Sequence, residues 1–270
     1  MADITAMQTG VVSERMGKVN WHLGSGSLPP GGQSINESSS VQLADLGQRL
    51  VVGDRIFRYA QLGGIASVPG DILQFPASSV KGFCELLATG GNTDASGGKT
   101  FTFYCATSHA ADFFAEGYII SQSGTAANLG QVYRVKTHAS VSDTANATLT
   151  LYDALQKQVN VTDKWSIYAN PYKLVTQNTA GTVASAGVLA CPATTNDYVW
   201  IQTWGPCAVK ANTVAGGALI GNQFGVSATG AAIGFIATGT GGTPINPIGE
   251  YLYAAPVASE RSMAFIKITP

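Results

Sequence analysis

Charge is what this sequence has least of. Asp, Glu, Lys and Arg make up 11% of its 270 residues, and the formal net charge is −1. An ordinary globular chain carries about a quarter charged residues. So sparse a balance leaves no electrostatic footprint for nucleic acid and no polybasic face for an anionic membrane. It also argues against disorder driven by charge repulsion. Histidine is scarce, and His22, His109 and His138 stand in unlike contexts. Only His109, three residues before Asp112, has a carboxylate near it in sequence, and no second ligand cluster accompanies the pair. The four cysteines, Cys84, Cys105, Cys191 and Cys207, form no CxxC and have no histidine at zinc spacing, so they read as buried free thiols.

Long apolar runs are missing too, which leaves no candidate membrane-spanning helix. Met1-Ala2-Asp3-Ile4-Thr5 has neither the basic nor the apolar region of a signal peptide, so synthesis in a cytoplasm is expected. Enzymatic signatures are equally thin. There is no Gly-x-Ser-x-Gly elbow, and Gly239-Thr240-Gly241-Gly242 lacks the Lys-Ser/Thr that completes a phosphate loop. Asp153, Asp163, Asp197 and Glu250 are the carboxylates a glycosidase would have to use, and none stands in an acid/base setting. The expectation is a protein that is not an enzyme, with no cofactor and no metal.

What is present is β-strand chemistry. Tyr198 to Pro206 alternates, with Tyr198, Trp200, Gln202 and Trp204 on one side and Val199, Ile201 and Thr203 on the other. Both sides carry aromatic or β-branched residues, which predicts a central strand covered on both faces. Pro206 cannot donate to a ladder, so the strand is expected to end there or to reach an edge. Gly53-Asp54, between Arg49-Leu50-Val51-Val52 and Arg55 to Tyr59, suits a hairpin turn of type II′. Val68-Pro69-Gly70-Asp71 has Pro and Gly in type II order. Val132, Arg134 and Lys136 alternate with Tyr133 and Val135. Further strands are expected at Tyr118–Ser121, Ala147–Tyr152, Asp163–Tyr168, Lys173–Thr176 and Met263–Ile268. One helical turn is expected within Ser108–Phe114, with no longer amphipathic helix anywhere.

Strands at roughly ten-residue spacing with turn signals between them predict an all-β fold. The expected architecture is an antiparallel β-sandwich, jelly roll or barrel. Residues 1–45 read as an extended N-terminal arm, because Gly24 to Gly32 suits neither helix nor central strand. The body is then 46–270, and a split into two β subdomains near 172–187 is left open. The arm also carries Val19, Trp21 and Ile35, apolar residues that a purely solvating linker does not need. Together with Trp200 and Trp204 they are the candidate interface residues.

Several of these stretches resemble the decoration (cement) proteins that accompany the major capsid protein of tailed bacteriophages. The resemblance lies in Phe57-Arg58-Tyr59, Gly70 to Gln74, Gly130 to Val135, Leu149 to Asp153, Asn170-Pro171-Tyr172 and Tyr198 to Pro206, and it spans about Leu46 to the C-terminus. It implies a structural virion protein on the capsid surface whose partner is the major capsid protein. It implies no catalytic residues. A homotrimer is expected, since three-fold positions on a shell favour trimers. The competing reading is a phage fibre or host-glycan-binding protein, in which Trp200 and Trp204 would stack on sugars. Neither reading calls for direct contact with nucleic acid or membrane.

Overall fold

A computed structural model describes residues 32–64, 67–76, 84–87, 95–105, 108–123, 129–142, 145–159, 163–178, 183–211, 220–221, 223–226, 231–234, 247–253 and 260–268. Among these there is no α-helix, and the fold is all-β, as the strand periodicity predicts. The chain divides into two compact units. Unit 1 joins residues 1–75 to 172–270, and unit 2 is the stretch 76–171 between them. Each unit contains one antiparallel sheet.

Unit 1 begins with β1 (Arg49–Val52), β2 (Arg55–Gln61) and β3 (Ile72–Gln74). The chain leaves for unit 2 with β4 (Cys84–Leu87), β5 (Thr100–Cys105), β6 (Tyr118–Ser123), β7 (Val132–His138), β8 (Ala145–Leu151) and β9 (Lys164–Tyr168). It returns to unit 1 with β10 (Thr176–Gln177), β11 (Ser185–Leu189), β12 (Tyr198–Lys210), β13 (Gln223–Val226), β14 (Ala232–Gly234), β15 (Gly249–Tyr251) and β16 (Arg261–Lys267).

In unit 2 the strand order is β4-β9-β6-β7-β8-β5. This sheet curls into a half-barrel, bringing its end strands β4 and β5 within 8 Å of each other, Cα to Cα. Period-two alternation sends Phe101, Phe103, Ile119, Tyr133, Val135, Leu149, Trp165 and Ile167 into one apolar core. Ser108–Phe114 is not a helical turn. It holds an isolated bridge from His109 to Val141, followed by a tight turn in which Asp112 and Glu116 have φ of 57° and 61°. Lys173–Thr176 does not continue the unit 2 meander either. Tyr172–Leu174 forms a turn with Leu174 at φ 59°, and the following strand, β10, pairs with β3 of unit 1.

Unit 1 is organised around β12, at 13 residues the longest strand. Its first half pairs with β2 and with β11, and its second half pairs with β16. The β1–β2 hairpin turns at Gly53, whose φ of +62° is what a primed turn needs at its first position. Gly70, at φ +92°, fills the third position of the Val68–Asp71 turn, which Asp71 closes by donating its N–H to the Val68 carbonyl at 3.0 Å.

Two expectations for unit 1 are corrected, the first in part. β12 does not end at Pro206 but runs four residues further to Lys210. The other alternative, an edge, holds: among the described residues Pro206 has β16 beside it, opposite Phe265, and neither β2 nor β11 reaches it. The ladder shifts register between Gln202 and Trp204, and Gly205 turns to φ +93°. The Gln202 side-chain amide then donates to the carbonyls of Trp204 and Pro206, at 3.0 and 2.7 Å. A bulge bridged by its own glutamine carries the strand through a residue that has no N–H.

The second correction concerns the arm. Residues 32–45 do not extend away from the body. Ser39 and Tyr198 exchange backbone hydrogen bonds of 3.0 and 2.7 Å. Gln33 is 3% exposed and donates to the carbonyls of Glu37 and Tyr198. Ile35 packs partly buried against the cluster of Leu46, Leu50, Phe57, Tyr59 and Trp200. The reason is local satisfaction: a polar side chain that reaches three partners fixes this segment to its own sheet.

Candidate functional site

The two tryptophans of β12 have different surroundings. Trp200 is completely buried, with its ring 4.9 Å from Tyr59 at a 60° tilt. It is a core residue of its own chain, so it offers no ring to a sugar and no surface to a partner. The face of β12 that leads into Trp200 is closed by the β1–β2 hairpin and by residues 33–46.

Beyond the bulge the sheet changes character. Cys207, Val209, Ala264, Ile266 and Tyr251 point into an apolar cluster with Phe224, Val226 and Ile248. The opposite face carries Trp204, Pro206 and Ala208 on β12, Met263, Phe265 and Lys267 on β16, and Glu250 on β15. Trp204 and Phe265 meet edge to face at 5.6 Å, both half-buried. Met263 is 48% exposed and Ala208 is exposed. Lys267 pairs with Glu250 at 2.7 Å, both side chains open to solvent, and its ammonium lies 5.8 Å from the Phe265 ring. An exposed pair of this kind adds little stability. This half of the sheet thus presents an aromatic and thioether surface rimmed by one ion pair, the composition of an interface core with a polar edge. Trp204 lies on it. Ile35 is taken up by the chain's own packing, and Val19 and Trp21 lie outside the described residues.

Sequence reading missed Phe265 as the partner of Trp204 and Met263 as its neighbour on the same sheet face. The signal was there: Met263, Phe265 and Lys267 alternate with Ala264 and Ile266. Which strand would lie beside Trp204 was not.

The carboxylates and thiols perform structural tasks. Asp197 accepts from the N–H and hydroxyl of Thr194 at 2.8 and 3.0 Å, and the backbone bond holds its pKa below the ordinary carboxylate value. Glu250 is held in the ion pair, Asp153 is exposed and Asp163 is buried. Burial pushes the Cys191 thiol up to about 11 and the Cys207 thiol up to about 12. Both are free cysteines, and so high a pKa makes them inert at neutral pH. Asp112 accepts from the Thr137 hydroxyl and the His138 N–H at 2.5 and 2.9 Å, while His109 stacks on Phe113 with ring centroids 4.8 Å apart. His138 Nε2 accepts from the Phe114 N–H at 3.0 Å. Among the described residues, no three His, Cys, Asp or Glu come together in a way that would hold a metal ion.

No protein family, curated protein or solved structure matches the chain.

Proposed function

We propose that this chain is a structural, non-catalytic virion protein that binds the outside of a tailed-phage capsid and bridges subunits of the major capsid protein, as a homotrimer. The observation that carries the reading is the half-open sheet face of Trp204, Phe265 and Met263. Sparse surface charge and the resemblance of the β12 and β7 stretches to capsid decoration proteins support it. Burying such a face at each junction of a pressurised shell adds contact area without chemistry, and repetition by symmetry adds avidity.

The test is a particle experiment. Capsids assembled with the protein are labelled with gold and imaged, then heated beside capsids assembled without it. Label tiled over the head, and DNA release at a higher temperature, are the expected results. Label confined to the tail, or identical release temperatures, overturn the reading. Sedimentation of the free protein at micromolar concentration checks the trimer.

A second reading, a host-glycan-binding protein, is favoured by one separate observation. The outer face of the unit 2 sheet carries a row of tyrosines with an arginine among them.

A further inference from the structure

Tyr168, Tyr118, Arg134 and Tyr152 stand side by side across the unit 2 sheet. Tyr118 of β6 is the register partner of Tyr168 on β9 and of Arg134 on β7. Tyr152, one residue past β8, donates its N–H to the Arg134 carbonyl at 3.0 Å. Their chain neighbours Ile119, Tyr133, Val135, Leu151 and Ile167 all point into the core, so the four residues share the outer face. Tyr118 and Tyr152 are each 38% exposed, and Val132, one step along the same face of β7, is 54% exposed. The Arg134 guanidinium lies over the Tyr152 ring, 4.9 Å from its centroid, a cation–π contact that holds the cation beside the row. Gln122 Nε2 donates to the Tyr168 hydroxyl at 3.5 Å. Four strand positions span about 14 Å, the length of a short oligosaccharide.

Charge selects among ligands. Strands β6, β7, β8 and β9 contain Arg134, Lys136 and Lys164 and no Asp or Glu. Strand alternation puts Lys136 and Lys164 on the same face as the row, and both are exposed. Lys99 adds a fourth cation, its Nζ donating to the Tyr152 carbonyl at 2.9 Å. Acidic residues flank it: Asp153 follows Tyr152, Glu116 precedes Tyr118 by two residues, and Glu85 of β4 is the register partner of Ser166 on β9, so Arg134 is the cation that stands within the tyrosine row.

We infer that this face binds an acidic oligosaccharide. Tyr118 and Tyr152 stand two strand spacings, about 10 Å, apart, so their phenol rings pack against the C–H faces of alternate pyranose rings. Arg134 between them pairs with a sugar carboxylate, a planar acceptor that suits a guanidinium fork. Tyr168 and Gln122 extend the row with groups that hydrogen-bond sugar hydroxyls. The inference builds on the glycan-binding reading and is independent of the capsid reading, so each can fail alone.

The test titrates the full-length protein with hexamers of galacturonic acid and of hyaluronan, and with neutral maltohexaose. At least one acidic hexamer should bind more tightly than maltohexaose, and less tightly as salt is raised. Tyr118→Ala with Tyr152→Ala, and separately Arg134→Gln, should each weaken that binding by about tenfold. Tyr118→Phe keeps the ring and should retain binding. Thermal unfolding of each variant, unchanged from the parent, shows that the loss is local. No binding of either acidic hexamer, or equal binding of maltohexaose, overturns the inference. So does sugar binding that persists in the tyrosine double variant. If that variant instead loses only its attachment to capsid particles, the row is a protein interface and the inference is wrong, while the capsid reading stands.

Discussion

The Tyr59 hydroxyl donates to Gln33 Oε1 at 2.7 Å, across 26 residues of sequence, and accepts from the Leu43 N–H at 3.1 Å. One phenol therefore fastens both ends of residues 33–43 to β2. Tyr59→Phe should leave the buried Gln33 Oε1 without that partner, free the Leu43 N–H at the exposed end, and destabilise the protein by about 1–3 kcal/mol. Denaturant melts measure the loss, and hydrogen exchange should speed up at Leu43 while β16 keeps its protection. Deleting residues 2–40 should cost stability, because it removes Gln33 and Ser39.

Trp200 and Trp204 should separate cleanly on mutation. Trp200→Ala empties a fully buried site beside Tyr59 and should cost about 3–5 kcal/mol. Trp204→Ala removes a half-buried ring and should cost clearly less in the isolated protein. On particles the order should reverse, since Trp204 stands on the open face. If a folded Trp204→Ala variant keeps full particle occupancy, that face is not the capsid contact.

The bulge of β12 depends on two residues. Gln202→Ala takes the amide from the carbonyls of Trp204 and Pro206 and should destabilise by about 1–3 kcal/mol. Gly205→Ala puts a Cβ at φ +93° into the Asp54 carbonyl oxygen, so it should cost more than about 1 kcal/mol. Urea midpoints of the two variants measure both. A Gly205→Ala protein as stable as the parent would show that the strand passes Pro206 some other way.

His109 gives unit 2 an acid-sensitive term. Burial first, and the nearby His138 second, lower its pKa below the unfolded value of 6.5. The unfolded state therefore takes up the proton first as pH falls. The contribution is fully present above 6.5 and is lost as pH drops through the lower folded pKa. Melting temperature should decline over that window, and His109→Gln should flatten the decline. A decline of unchanged slope in the variant would assign it to other groups.

The buried thiols should be silent in the native state. With Cys191 pushed up to about 11 and Cys207 up to about 12, almost no thiolate exists at pH 8. Iodoacetamide labelling, mapped by mass spectrometry, should reach neither cysteine until denaturant is added. Fast native labelling of Cys207 would contradict its burial.

The sequence by itself determined the all-β class, several strand positions and some of the turns. Those signals are local: a period of two puts Tyr133 and Val135 on one side of a strand, and Gly53 or Gly70 supplies the positive φ that a turn requires. Tertiary structure alone decided the rest. Whether Pro206 would end β12 depended on Gln202 reaching around the bulge. Whether residues 33–43 would extend from the body depended on Tyr59, far away in sequence. Trp200 and Trp204 share one side of the same alternation, yet one is sealed in the core and the other stands half open. Only the strands placed against them make that difference: the β1–β2 hairpin and residues 33–46 cover Trp200, whereas Trp204 has β16 with Phe265 beside it. The Tyr168-Tyr118-Arg134-Tyr152 row was invisible for the same reason. Its members come from four separate segments, and strand pairing, which is set by long-range burial, is what aligns them.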